Sequence, residues 1–394
     1  ILNTQYSILI TQYYLLNTTM PGIYLHIPFC KRKCHYCNFF SVASEKLKKG
    51  FMDALYREIE QRKDYLDNKA VKTIYIGGGT PSVLSPTEIY NSVFTIYNMF
   101  DVADDAEITI EINPDDVDED WVEGIKKTKI NRISLGVQSF DDDNLKYLNR
   151  IHNSNQNLQG IKLLQDAGYE NVSIDLIYGM PSLSENQWKD TLNQFFTLDL
   201  PHLSAYALTV EPGTTLHHLI QKKKSFSVDD EKVAGQFKLL QEMTAENGYI
   251  HYEISNFSRE GFYSKHNSIY WLGGHYLGLG PSAHSFNGHY RQWNVSSVTK
   301  YINQQGEGTV LGEKEIITEK QRYNEYVLTS LRTIWGCDLE HIENVFGKEY
   351  RQHCLLQARP FLNDEKLEQQ GNKLFLTTEG KIFADGIASA MFMI

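Results

Sequence analysis

The chain has 394 residues, 41% hydrophobic and 22% charged, with a formal net charge of -11. That composition suits a soluble globular protein of two or three domains and excludes a largely disordered one. The acidity disfavours sequence-independent nucleic-acid binding, because a phosphate backbone would be repelled and the basic run Lys222 to Lys224 reads as a solvated helix end.

Residues 1–19 lack the basic start and cleavage site of a signal peptide, and they hold no apolar run long enough to span a bilayer. Met20 stands directly before "PGIYLHIPFC", so it reads as the natural start, with 1–19 a non-native or disordered leader. From Met20 to about residue 225, short β-rich runs alternate with longer amphipathic ones, the pattern of βα units on a parallel sheet. Six strands are predicted, at 23–27, 73–77, 107–112, 132–137, 172–179 and 203–210. Between them, Ser85 caps a helix, Pro86 suits its first turn and Glu88 completes a capping box; Ser184 opens another helix in a similar way. Six such units make either an open doubly wound sheet or an incomplete barrel, and periodicity does not choose.

The unusual residues fall where these strands end. Cysteines follow the first strand and glycines the second, Glu111 and Asn113 end the third, and Gln138 follows the fourth. Both parallel architectures build their sites at carboxyl ends. Residues 226–294 read as a connecting region, a helix followed by a stretch rich in Gly, His and aromatics. Residues 295–394 turn helical and end as a hairpin and a helix. That is the outline of a small α+β domain, winged-helix-like; such a shape often contacts nucleic acid, but the acidity of this chain argues against that and for a cover over the barrel mouth. Cys337 and Cys354 read as small buried residues.

Cys30, Cys34 and Cys37 follow C-x3-C-x2-C, and five cysteines so distributed make no disulfide framework. A reduced, cytoplasmic chain follows, with thiols free to act as ligands. Thiolates suit iron–sulfur clusters or zinc. A four-iron cubane normally takes four protein ligands, so three leave one iron open to a small chelate such as the amino and carboxylate groups of S-adenosylmethionine. The alternative is structural zinc held by the three cysteines with His26 or His35. Zinc sites usually pair C-x2-C knuckles, however, and this chain has no second one.

"CKRKCHYC" resembles the signature of the radical S-adenosylmethionine superfamily. The resemblance implies a partial (β/α)6 barrel, a [4Fe-4S] cluster on the three cysteines, and Tyr36 beside the adenine of S-adenosylmethionine. "GGGTPS", residues 77–82, is a weak motif alone, since glycines after a strand often only turn the chain. Here it resembles the superfamily's methionine-binding loop, which assigns Gly78, Gly79 and Thr80. Glu111 is a carboxylate where a buried strand wants an apolar residue, so it needs a partner or a cavity. Gln138, Arg150 and Asp175 are individually uninformative. Their contexts "GVQSF", "YLNRIH" and "IDLIYGMP" resemble the oxygen-independent coproporphyrinogen III oxidase family, in which the matching positions, with Tyr24, line the S-adenosylmethionine site.

That family divides into oxidases of porphyrin biosynthesis, which decarboxylate two propionates, and HemW-type heme chaperones. The oxidases carry a further cysteine two residues after the third, where this chain has Phe39. "HNSIYW", residues 266–271, resembles the H-N-x-x-Y-W motif of the chaperones, implying His266 as a heme-iron ligand with Tyr270 and Trp271 on the porphyrin face. His275, His284 and His289 lie nearby as other candidate ligands. The resemblance implies heme, or another tetrapyrrole, as cargo and an apoprotein that accepts it, with transient membrane contact where that acceptor is membrane-bound. A flavodoxin or ferredoxin would donate electrons if S-adenosylmethionine is cleaved. The oxidase remains the alternative reading.

Overall fold

The computed structural model describes residues 21–67, 69–306 and 312–394; the expected leader and the start at Met20 lie outside the described residues. All six predicted strands are present: β1 (Gly22–Ile27), β2 (Val71–Gly78), β3 (Val102–Ile112), β4 (Arg132–Gln138), β5 (Val172–Tyr178) and β6 (His202–Ala207). They pair in sequence order and in parallel. The predicted caps are also there. Ser85 Oγ accepts from the Glu88 N–H at 3.2 Å while the Glu88 carboxylate accepts from the Ser85 N–H at 2.8 Å, and Ser184 forms the same box with Gln187.

Alternation along the strands separates two chemistries. Ile23, Leu25, Ile27, Ile74, Ile76, Ile108, Ile110, Ile133 and Leu135 face outward and are buried against helix residues such as Phe51, Leu55, Ile89 and Leu164. At about 1.5–3 kcal/mol for each fully buried large aliphatic side chain, this outer layer carries the stability. The alternate positions, among them Tyr75, Glu111, Ser134, Asp175, Ser204 and Tyr206, face inward and line one small polar chamber of about 50 Å³. Four flat strand spacings of about 4.8 Å would hold Tyr75 of β2 and Tyr206 of β6 about 19 Å apart, so the sheet curls into an incomplete barrel with a polar inside.

The sheet continues past the expected boundary at residue 225. The region expected as a connector supplies β7 (Ile250–Glu253), β8 (Asn256–Ser258), β9 (Tyr276–Leu279), β10 (His284–Phe286) and β11 (Tyr290–Asn294), and the next segment adds β12 (Gly312–Ile316). The strand order is β12-β11-β10-β9-β1-β2-β3-β4-β5-β6-β8-β7, a mixed sheet of twelve strands. β9 adds to β1 in parallel, whereas β8 adds to β6 antiparallel. These additions span three to five residues each, too short for an alternation signal.

The smaller domain begins with the helix Glu319–Leu331, later than the expected residue 295, because β12 still belongs to the large sheet. After that helix come β13 (Cys337–Asp338), the helices Leu339–Phe346 and Lys348–Asn363, the hairpin β14 (Leu367–Gln370) and β15 (Lys373–Leu376), and the helix Ala384–Ala390. β13 joins the hairpin as a third strand, which is the element order of a winged helix. A separate core of Tyr323, Val327, Leu339, Ile342, Leu374 and Ile387 holds the domain together, and Cys337 and Cys354 are fully buried in it.

Arg332 ties this domain to the sheet edge. Its guanidinium pairs with Glu253 of β7 at 3.0 Å and with Asp385 at 2.6 Å, and its carbonyl accepts from the Ile254 N–H at 3.1 Å. Glu253 is 1% exposed and Asp385 76% exposed, so the two pairs differ in worth. Arg332→Ala should lower stability by about 3 kcal/mol in urea unfolding, whereas Asp385→Asn should cost under about 1 kcal/mol. Equal effects of the two substitutions would show that Glu253 is not the tie.

Candidate cofactor-binding site

A cavity of about 900 Å³ opens at the carboxyl ends of the parallel strands. Its inner wall brings together Cys30, Cys34, Tyr36, Cys37, Gly78, Gly79, Thr80, Glu111, Gln138, Arg150 and Asp175. The cysteine loop is closed at its base, where the Cys30 N–H donates to the Val42 carbonyl at 3.1 Å and the Val42 N–H to the Pro28 carbonyl at 2.7 Å. Its tip is pinned to the segments after β3 and β4. The His35 N–H donates to the Leu148 carbonyl (3.1 Å), Asn149 Nδ2 to the Lys33 carbonyl (2.8 Å), and Lys31 pairs with Asp115 (3.1 Å) and with Asp116. A loop held at both ends presents its three thiols in fixed relation.

Arg150 orders the wall behind them. Nη1 donates to Cys34 Sγ at 3.3 Å, and Nη2 to Asn113 Oδ1 at 2.6 Å and the Gly136 carbonyl at 2.9 Å. Burial works against its charge, but Tyr36 and Cys34 beside it hold the pKa above the usual value. Burial pushes the Cys37 thiol up, so it keeps its proton until a cation claims the sulfur.

The glycine loop is shaped by contacts that leave no room for a side chain. The Gly79 N–H donates to the Ile27 carbonyl at 2.8 Å, and a Cβ there would come within 2.6 Å of the Phe29 carbonyl oxygen. Gly78 has φ +113, and a Cβ on it would meet the His26 ring at 2.6 Å. Glu111 has the partners that its position demands: it accepts from the Tyr75 hydroxyl at 2.8 Å and from the Gly78 N–H at 3.1 Å. Burial still raises its pKa against those two bonds. Gln138 sits in the left-handed region, φ 65, at the end of β4, a backbone strain of the kind that collects at ligand sites. Asp175, deep in the barrel and near Glu111, is pushed up to about 7, first by burial and then by that neighbouring carboxylate.

The donor set fits an iron–sulfur cluster better than zinc. His26, the proposed fourth zinc ligand, is committed on both nitrogens: Nε2 donates to the Phe40 carbonyl at 2.9 Å, so Nδ1 accepts from the Tyr24 hydroxyl at 3.0 Å. His35 Nδ1 is turned to the Tyr147 carbonyl at 2.9 Å. Tyr24 itself is not at the cavity. It stands midway along β1, stacked on Tyr75 at 6.1 Å, because its inward-pointing position lies too far below the carboxyl end.

The H-N-x-x-Y-W residues are at the other end of the barrel. The helix Lys265–Trp271 plugs the amino-terminal side, with the Lys265 and His266 N–H groups donating to Glu107 of β3 at 3.1 and 3.0 Å. His266 is 1% exposed, and both ring nitrogens are bonded, Nδ1 to Thr73 Oγ1 at 2.7 Å and Nε2 to the Tyr270 hydroxyl at 2.9 Å. Burial lowers its pKa to about 3. In this arrangement iron would reach His266, the expected heme ligand, only after Thr73 or Tyr270 lets go. Tyr270 packs edge-on against Tyr276, and the Arg332 guanidinium lies 5.4 Å over the Trp271 ring. His284 stacks on Trp293, and His275 packs edge-on against Phe286.

Several cavity residues carried no signal in the sequence. Asn113 binds both Arg150 and Thr80 Oγ1 (3.3 Å), and only its place at a strand end pointed to it. Arg332, Lys381 and Phe383 reach the cavity from the C-terminal domain, which thereby covers the mouth; nothing local to them announces this.

Comparison with known proteins agrees with the geometry. Residues 24–195 match the radical SAM superfamily, and residues 317–383 match the HemN C-terminal domain. The heme chaperone HemW of Lactococcus lactis is 32% identical over 357 residues, covering 91% of this chain and 93% of the relative. HemW of Bacillus subtilis is 30% identical over 375 residues, covering 94% and 99%, and HemW of Escherichia coli is 36% identical over 265 residues, covering 67% and 69%. The solved coproporphyrinogen III oxidase (HemN) of Escherichia coli superposes with a TM-score of 0.83 at 22% identity, covering 97% of this chain and 92% of that one, which is a likeness of fold.

Asp175 yields a pH signature. The folded chain holds this proton more tightly than the unfolded chain, so its contribution is intact below about pH 4 and is lost as pH climbs toward 7. Asp175→Asn should therefore raise the melting temperature of the ligand-free chain at pH 8 and leave it nearly unchanged at pH 4. The same shift at both pH values would mean that the carboxyl is not held neutral.

Proposed function

The chain belongs to the HemW family of the radical SAM superfamily, and from that premise we propose that it is a heme chaperone, binding a [4Fe-4S] cluster, S-adenosylmethionine and heme and passing heme to an acceptor apoprotein. The observation that carries this reading is the pinned loop of three thiols at the wall of one cavity, with Arg150 donating to Cys34. Cys30, Cys34 and Cys37 would hold the cluster, whose bound form supplies one electron able to break the sulfonium bond of S-adenosylmethionine.

The chain's own residues do the positioning. The Gly78–Thr80 loop offers backbone groups to the methionine amino end at a distance that side chains would block. Glu111 is oriented by Tyr75 and Gly78, and Gln138, Arg150 and Asp175 complete a polar wall on the same cavity. Tyr36, on the cysteine loop, supplies an apolar face beside the adenine. The C-terminal domain adds Lys381, Ile382 and Phe383 to the lining of the same cavity. Among the described residues no helix is long and apolar enough to cross a membrane, so contact with a membrane-bound acceptor would be peripheral. A flavodoxin- or ferredoxin-like donor is needed only if S-adenosylmethionine is cleaved.

The test is anaerobic. Protein reconstituted with iron and sulfide is titrated with heme, and a second portion is given reductant, S-adenosylmethionine and coproporphyrinogen III. Heme binding without protoporphyrinogen IX is the expected result, and turnover would make the chain an oxidase. Cys34→Ala should lose the iron–sulfur absorption while keeping the fold.

A further inference from the structure

The cavity has two chemically different halves. Opposite the polar inner wall, the outer half lies between the barrel edge and the C-terminal domain and is lined by Leu208, Val233, Phe237, Ile254, Ile382 and Phe383. Pockets that take one drug-sized ligand run from about 300 to 1,000 Å³. At about 900 Å³ this cavity stands near the top of that range, and its lining passes from polar to apolar.

Two of the cations that line the cavity belong to its C-terminal side, Arg332 and Lys381, and they differ in state. Arg332 is committed to Glu253 and Asp385. Lys381, in the turn Gly380–Phe383, makes one long hydrogen bond, 3.5 Å to the His251 carbonyl. The acid nearest in effect is Glu253, but its carboxylate is taken by Arg332, by the Ser255 N–H at 2.9 Å and by Asn256 Nδ2 at 2.6 Å. Of the other acids that line the cavity, Asp385 is held by Arg332, Glu111 by Tyr75 and Gly78, Asp175 belongs to the inner wall, and Glu211 stands on the loop after β6. Burial lowers the Lys381 pKa to about 8, with Glu253 opposing that shift. A half-buried ammonium so poorly paired costs stability, and an anionic ligand offsets the cost.

We propose that Lys381 anchors a carboxylate of the bound tetrapyrrole, whose ring lies against the apolar outer half of the cavity, beside Ile254 and Ile382 and on the side of Phe383 away from the Lys366 ammonium, which sits 4.8 Å from that ring. This rests on the heme reading above and locates the cargo at the barrel mouth rather than at the buried His266. Two features of the ligand are thereby selected: a broad apolar face, and an acidic edge turned toward the C-terminal domain. Arg332 contributes by holding that domain in place, not by touching the ligand.

The test compares heme with its dimethyl ester, in which the propionates carry no charge, by Soret titration of the cluster-reconstituted protein. Wild type should bind heme roughly tenfold or more tightly than the ester. Lys381→Met should lose that preference by weakening heme alone, and Lys381→Arg should largely restore it. Unchanged ester binding in Lys381→Met shows that the variant is folded. A Lys381→Met protein that keeps the full preference, or a wild type that binds heme and ester equally, overturns the anchor and leaves the heme reading standing. A wild type that binds neither ligand removes the heme reading and the anchor with it.

Discussion

Strand alternation is the constraint on which the rest of the molecule depends. Along the central parts of β1 to β6 the alternate residues are apolar and buried under helices, so the outer layer supplies the stability and releases the inner positions from that duty. Glu107, Thr109, Glu111, Arg132, Ser134, Asp175 and Ser204 can then all occupy the inside of one barrel. In a flat sheet covered on both faces, so many polar groups would each demand a compensating partner. Curling the sheet turns them toward each other and toward a common cavity.

The barrel has two functional ends. At the carboxyl ends of the strands, loops pinned by hydrogen bonds place the three thiols, the glycines and Arg150 on one wall. At the amino ends, the helix Lys265–Trp271 forms a floor held by Glu107 and by the bonds of His266 to Thr73 and Tyr270. β1 separates the two ends by roughly 16 Å, five residues at about 3.3 Å each. Tyr75 spans part of this gap, with its hydroxyl on Glu111 and its ring stacked 5.0 Å from His266. Trp271 meets Arg332, so the floor, the sheet edge and the domain at the mouth share a single guanidinium.

The sequence carried what is local. Capping boxes, six strands and the carboxyl-end placement of cysteines and glycines are short-range patterns, and Ser85, Ser184 and the six parallel strands appear as read. Glu111 was legible because a carboxylate breaks an apolar run. What escaped depends on contacts between distant segments. β7 to β12 are too short to alternate, and β12 joins the large sheet only through β11. Lys381 and Arg332 reach the cavity because a separately folded domain docks on the barrel edge. His266 could be found as a motif, but not its burial, since the partners Thr73 and Glu107 lie more than 150 residues away in the chain.

The central claim is that three cysteines leave one iron of a cubane open to S-adenosylmethionine. Electron paramagnetic resonance of the anaerobically reconstituted, reduced protein tests it most directly, recorded before and after S-adenosylmethionine is added. The account predicts a [4Fe-4S] signal whose line shape changes on addition, because the nucleotide binds the unligated iron. Tightly held zinc in place of iron and sulfide, or a cluster signal indifferent to S-adenosylmethionine, would contradict it.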